Sequence, residues 1–223
     1  MICPDMATLL AFVATDARLT PAATQQCLQA AVGRSFNCVT VDGDTSTNDS
    51  CVLIASGQVG GQEVGVDHAD FAAIQDAVTT ICEQLAQAIA RDGEGATRLI
   101  TIEVGGARDE AEARLAAYAL AHSPLFKTAA FAGDANWGRI LAAVGRSGIG
   151  GLDVGKIDID IDEVALIRGG EPDPGYAEAR GTAVFARPEY TVAIRLGRGA
   201  AGVRIWTCDF SYDYVKINAE YRT

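Results

Sequence analysis

The sequence predicts an α/β fold, with mixed sheets and helices packed outside them. Three observations carry that expectation. Apolar residues at Phe71, Ile74, Val78, Ile81, Leu85 and Ile89 keep the spacing of one long amphipathic helix. Shorter helical and strand-like runs alternate on both sides of it. From Lys156 onward the texture turns to strands. No internal repeat, low-complexity tract or interdomain linker interrupts the chain, so residues 1–223 are expected to form a single domain.

The elements follow in order. Met6–Ala14 is an apolar run suited to a strand buried on both faces. Thr20-Pro21 reads as a helix N-cap and first helical position, and the helix runs to about Gly33 with Cys27, Leu28, Ala31 and Val32 on one face. Phe36–Val41 and Cys51–Ser56 read as strands around the polar loop Asp42–Ser50. The long helix can be capped by Asp67 and ended by Gly93. A strand is expected over Arg98–Val104, an amphipathic helix over Asp109–Ala121, a strand over Lys127–Ala132 and a short helix over Asn136–Gly145. Strands are then expected over Lys156–Asp162, Gly181–Ala186, Tyr190–Leu196 and Gly202–Asp209, with a loop over Arg168–Tyr176. A last helix spans about Tyr212 to Tyr221.

Composition narrows the function. The net charge of −11 argues against nucleic acid or an anionic membrane, because phosphate binding needs clustered Lys and Arg. No apolar run reaches the roughly 18–20 residues of a membrane helix. The start, Met-Ile-Cys-Pro-Asp-Met, has neither the basic nor the apolar region of a signal peptide, and the cytoplasm is the expected location. The six cysteines, Cys3, Cys27, Cys38, Cys51, Cys82 and Cys208, form no C-x-x-C pair and have no His at zinc spacing. They read as buried thiols in a reducing compartment, and no metal site is expected.

Several motif matches fail on context. Gly197-Arg198-Gly199-Ala200-Ala201-Gly202 fits G-x-G-x-x-G, but a strand follows where a dinucleotide site needs a helix, so a glycine-rich hairpin is expected. Gly150 to Lys156 fits most of a P-loop, yet Ile157 stands where Ser or Thr must meet magnesium. Asp158, Asp160 and Asp162 alternate with isoleucines, the pattern of a strand with a solvated acidic face. The two histidines, His68 and His122, lie at a helix start and a helix end, where surface roles are ordinary.

Thr8 is the residue with the most chemical promise. A Thr hydroxyl is a weak nucleophile unless a base takes its proton, and the base always beside a Thr is its own α-amine when Thr comes first. That amine has a pKa of roughly 7.7–8.0 and can accept a proton near neutrality. A peptide nitrogen cannot, so Thr8 matters only if the bond from Ala7 is cut. With two histidines in the chain, a terminal amine also makes a catalytic His unnecessary.

The context for such a cut is the run MICPDMATLL at residues 1–10. Four further blocks accompany it: VDGDTSTNDS from Val41, ARDGEGATRLITIEV from Ala90, FAGDANWGRIL from Phe131 and DYVKINAEYRT ending at Thr223. In this order, and over the whole chain, they resemble the ornithine acetyltransferases, the bifunctional glutamate N-acetyltransferases of arginine biosynthesis. The resemblance is to the β-chain portion. Cys3 stands where Ala is usual in the family, and Asp5 where Asn is usual.

The resemblance implies a layered αββα sandwich with mixed sheets, completed by a separate α chain. It implies that residues 1–7 precede the processing site and that 8–223 form the mature β chain. Cleavage between Ala7 and Thr8 would free Thr8 as nucleophile, with Thr8, Glu94, Asn218 and Thr223 contacting substrate. Glu94 sits between Gly93 and Gly95, which let the backbone turn and the carboxylate project toward an ammonium group. The implied reaction moves acetyl from N-acetylornithine to glutamate without a cofactor, with acetyl-CoA as a further donor in some members. The implied assembly is an α2β2 heterotetramer. The oxyanion donors of the family belong to the α chain, so this chain alone is expected to be catalytically incomplete. Asn136, Trp137 and Asn48 lie in family-like blocks and receive no chemical role. Two other readings stand beside this one: an N-terminal-nucleophile aminopeptidase of related fold, and a non-catalytic β-like assembly partner.

Overall fold

A computed structural model describes residues 1–3, 9–45 and 48–221. The chain divides into two compact units, Met1–Ile89 and Ala90–Thr223.

In the first unit, β1 (Leu10–Thr15) and β2 (Ser50–Ala55) pair in parallel, with Leu10 opposite Ser50 and Thr15 opposite Ala55. Helix α1 (Pro21–Arg34) joins them in sequence and packs on β2. Its start is as expected: the Thr20 hydroxyl accepts from the Ala23 N–H at 3.1 Å, and Pro21 supplies a first residue with no N–H to satisfy. Ala23, Cys27 and Ala31, four apart, are fully buried.

Three expectations fail here. The strand expected over Met6–Ala14 is not buried on both faces. Residues 6–8 lie outside the described residues, and in β1 Ala11 and Val13 are buried while Leu10 and Phe12 are 66% and 70% exposed. Phe36–Val41 is not a strand. The chain leaves α1 through a tight 3-10 turn, Phe36–Cys38, in which the Ser35 hydroxyl donates to the Ala31 carbonyl at 2.6 Å. Phe36, Cys38, Val39 and Val41 are buried nonetheless. A short apolar run reports burial, which a turn achieves as well as a strand does. Asp67 does not cap the long helix, because α2 (Phe71–Arg91) begins four residues later, after a turn in which Phe71 N–H donates to the His68 carbonyl at 3.0 Å. Along α2 Phe71, Val78, Cys82, Ala86 and Ala90 are buried, whereas Ile81 and Leu85 are exposed.

The second unit is built on a six-stranded sheet: β3 (Leu99–Ala107), β4 (Asp158–Ile161), β5 (Val164–Arg168), β6 (Glu171–Pro172), β7 (Glu189–Arg195) and β8 (Ala201–Cys208), in the order β6-β5-β4-β7-β3-β8. Among the described pairs of this sheet, β3–β7 alone is parallel. Helix α3 (Glu110–Ala121), capped by the Asp109 side chain, packs across β3 and β8 and against α5 (Trp137–Gly145). Ile157, Ile159 and Ile161 are fully buried, so the acidic alternation is a strand. Its acidic face is not simply solvated: Asp160 pairs with Arg168 and Arg195, and Asp162 with Arg187.

Lys127–Ala132 is helix, not strand. Ser123 and Pro124 open α4 (Pro124–Ala132), and Gly133 closes it in the left-handed region at φ 73°. Gly181–Ala186 is likewise helical, within α6 (Glu178–Phe185). The segment read as the loop Arg168–Tyr176 contains β6, paired with β5. The 197–202 glycines form no hairpin, because β3 lies between β7 and β8. They carry the chain past the end of β3, where Arg198 and Gly199 both donate to the Gly106 carbonyl. A side chain at 199 would collide with the Ala107 carbonyl, hence glycine. Helix α7 (Tyr212–Glu220) ends the described chain, capped by Ser211.

Candidate active site

Three of the expected site residues, Ala7, Thr8 and Thr223, lie outside the described residues. What flanks residues 4–8 is described. On one side the Asp42 carboxylate accepts from the Ile2 N–H at 2.9 Å and pairs with the Met1 amino group at 2.7 Å, while Val41 N–H donates to the Ile2 carbonyl at 2.7 Å. On the other side Ser50 N–H donates to the Leu9 carbonyl at 2.9 Å. Both anchors belong to the VDGDTSTNDS block. A cavity of about 320 Å³ opens beside Leu9, lined by Leu28, Val32, Phe36, Asp49 and Cys51 among others. Asp49 Oδ2 is buried with no partner among the described residues.

Glu94 sits in the loop between α2 and β3. Gly95 takes φ 67°, and a side chain there would collide with the Tyr214 backbone nitrogen. Ser211 Oγ donates to the Gly95 carbonyl at 2.5 Å, so the loop is seated on the first turn of α7. Glu94 itself is half-buried, and its Oε2 is buried without a partner among the described residues. A carboxylate oxygen withdrawn from water and left bare is costly, and a cationic donor such as an ammonium relieves that cost.

Asn218 is exposed on α7, one turn beyond Tyr214, and its Nδ2 donates to the Tyr214 carbonyl at 2.9 Å. The structure therefore brings the elements of Glu94 and Asn218 together through Gly95 and Tyr214. Asn136 is accounted for locally: its Oδ1 caps α5 by accepting from Arg139 N–H at 3.1 Å, and its Nδ2 donates to Asp134. Trp137 is partly buried at the first position of that helix, and Asn48 is exposed. His68 and His122 keep local contacts, with Asp70 N–H and with the Tyr118 ring.

The thiols divide. Cys27, Cys38, Cys82 and Cys208 are buried as expected, whereas Cys3 and Cys51 are only partly so. Burial pushes the Cys82 thiol up to about 11, which makes it a poor nucleophile. Among the described residues no three of His, Cys, Asp and Glu are grouped to hold a metal ion, and no helix is long and apolar enough to cross a membrane.

Sequence reasoning missed the groups that hold the Glu94 loop. Asp209 is fully buried and accepts from Thr97 N–H at 2.8 Å, Thr97 Oγ1 at 2.5 Å and Arg98 N–H at 2.9 Å. Lys127 is also fully buried. Its Nζ donates to Thr207 Oγ1 at 2.8 Å and to the Cys208 carbonyl, and lies 4.5 Å from the centre of the Phe210 ring. Each had one available signal: a lone charge inside or directly after an apolar run.

Fold and site together define a class: a mixed α/β protein in which a glycine-bounded loop, seated on a helix start, carries a carboxylate with one buried, bare oxygen. Residues 1–223 match the ArgJ family model, and the chain belongs to that family. It is 56% identical over 223 residues to the arginine biosynthesis bifunctional protein ArgJ of Methylococcus capsulatus, and 50% identical over 224 residues to that of Pseudomonas fluorescens. Each alignment covers 100% of this chain and 55% of the relative, so the chain spans about half the length of the curated relatives it matches. The crystal structure of arginine biosynthesis bifunctional protein ArgJ from Bacillus halodurans superposes with a TM-score of 0.91 at 42% identity, covering 96% of this chain and 100% of that one. The fold is thus the layered α/β fold of that family.

Proposed function

We propose that this chain is the β-chain portion of an acetyltransferase that moves acetyl from N-acetylornithine to glutamate, with Thr8 as nucleophile once the Ala7–Thr8 bond is cut. The observation that carries the reading is the family match over residues 1–223. The bare Glu94 oxygen, in a loop whose Gly95 is seated on α7, supports it, since both substrates are amino acids or their derivatives.

In this reading the Thr8 hydroxyl attacks the acetyl carbonyl while the Thr8 amine takes its proton. The tetrahedral intermediate collapses, the proton passes to the departing nitrogen, and ornithine leaves an acetyl ester on Thr8. The glutamate amine then attacks that ester, N-acetylglutamate departs, and the Thr8 hydroxyl is restored. Donors aimed at the oxyanion are needed in both halves, and they are assigned to an α chain. Glu94, Asn218 and Thr223 hold substrate. No cofactor is required, acetyl-CoA is an alternative acetyl donor, and the location is cytoplasmic.

An α chain is supported by exposed apolar surface, and the α2β2 assembly is carried over from the family resemblance. On one face of the β1–β2 pair, Leu10 and Phe12 stand open beside Ile54, which is 52% exposed, and Val52, which is 37% exposed. Such a face needs a cover in a finished protein. The reading is tested by combining the chain with the family's α chain and adding N-acetylornithine. Mass spectrometry should find one acetyl group, on the peptide that begins at Thr8. Acetyl on a Cys or Lys, with Thr8→Ala turning over normally, would refute it.

A further inference from the structure

We infer that Asp209 is a positioning residue that holds the Glu94 carboxylate in register with α7, an inference that rests on the reading of Glu94 as a substrate contact. Asp209 ends no helix and pairs in no strand, yet it is fully buried, and a buried carboxylate persists only where donors converge on it. Every described donor to it comes from two residues: Thr97 through its N–H and hydroxyl, and Arg98 through its N–H and, at 3.5 Å, Nη1. These residues lie three and four positions after Glu94.

The neighbours of Asp209 grip on either side. Lys127 Nζ holds Thr207 and the Cys208 carbonyl before it, and Ser211 Oγ holds the Gly95 carbonyl after it. Arg98 closes the far side of the loop by donating to the Phe131 carbonyl at 3.0 Å and the Phe185 carbonyl at 2.7 Å, the ends of α4 and α6. One strand end, 207–211, therefore fixes the Glu94 loop and launches the helix that carries Asn218. None of these described bonds uses the Glu94 side chain, and its Oε2 is left bare. Asp209 does not touch substrate; it acts through Glu94.

The test is a double-mutant cycle in the chain assembled with its α chain. Asp209→Asn keeps the shape but turns an N–H₂ toward the Arg98 and Thr97 donors. It should raise the KM for N-acetylornithine about ten-fold with kcat within about two-fold, the signature of a lost binding contact. In a Glu94→Gln background the same substitution should add less than about two-fold, because both changes remove one contact. Multiplying effects would overturn the inference, as would a folded Asp209→Asn enzyme with unchanged KM. If Asp209→Asn fails to fold, Thr97→Val decides: it removes one donor, should raise KM in the same non-multiplying way, and overturns the inference if KM stays put. Should Glu94→Gln alone leave KM unchanged, the assignment of Glu94 falls instead, a result the cycle keeps separate.

Discussion

At the scale of single residues, charge is spent where it fastens loops. Glu112, near the start of α3, shows it most plainly. Arg198 donates to its carboxylate at 2.8 Å and Arg108 at 2.6 Å, while Arg198 also holds the Gly150 and Gly151 carbonyls. One side chain thereby ties together the two glycine-rich segments whose motif resemblances came to nothing. The Arg198 hydrogen bond, reinforced by Arg108, outweighs burial and holds the Glu112 carboxyl at about 2, below its ordinary 4.5. Because the folded value lies below the unfolded one, the unfolded chain takes up this proton first as the solution is acidified. The stabilisation is whole above pH 4.5 and disappears as pH falls toward about 2. Glu112→Gln should therefore melt below the wild type at neutral pH, with the gap closing across that window. Thermal melts at stepped pH check it, and a gap that stays constant down to the lower limit would contradict it.

At the scale of elements, α4 is the instructive case. Its sequence, PLFKTAAFA, holds an apolar run short enough to pass for a strand, but the punctuation around it is helical: Ser123 before Pro124, and Gly133 at the end. The Ser123 hydroxyl accepts from Phe126 N–H, and Ser123 is nearly buried. Removing it in Ser123→Ala should cost about 1 kcal/mol of unfolding free energy, the usual worth of an N-cap. A urea titration measures it. No change in midpoint would mean that tertiary packing alone holds α4. The error at Gly181–Ala186 has another cause, since Ala177 caps α6 without a side-chain hydrogen bond and leaves no sequence signal. The other helices with clear caps, at Thr20, Asp109 and Asn136, were legible because a side-chain oxygen and its N–H lie within three residues of one another.

For the molecule as a whole, the unanswered surface is apolar. Leu10, Phe12, Val52 and Ile54 on the β1–β2 pair, Ile81 and Leu85 on α2, and Tyr212, Val215 and Tyr221 at the end of the chain are all exposed. Among the described residues β1 and β2 form a sheet of only two strands with a bare face, a combination that favours association. The chain by itself should self-associate, and Phe12→Lys should reduce that without unfolding β1, whose buried contacts are Ala11 and Val13. Sedimentation at several concentrations reads the result. A wild-type chain that stays monomeric throughout would show that these residues need no cover.

What the sequence determined by itself was local or written in residue identity: the α/β class, the capped helices, the isoleucine alternation of β4, and the blocks that mark the family. Caps and periodicities act over a few residues, so they survive reading along one dimension. What the tertiary structure alone decided was long-range. It placed β3 between β7 and β8, turned a presumed hairpin into a crossing, and left one face of β1 bare. It also buried Asp209 against Thr97 and Arg98, more than a hundred residues away in sequence. Nothing in a lone Asp after an apolar strand announces such partners. A carboxylate becomes a clamp only when folding takes away its water and supplies donors from elsewhere in the chain.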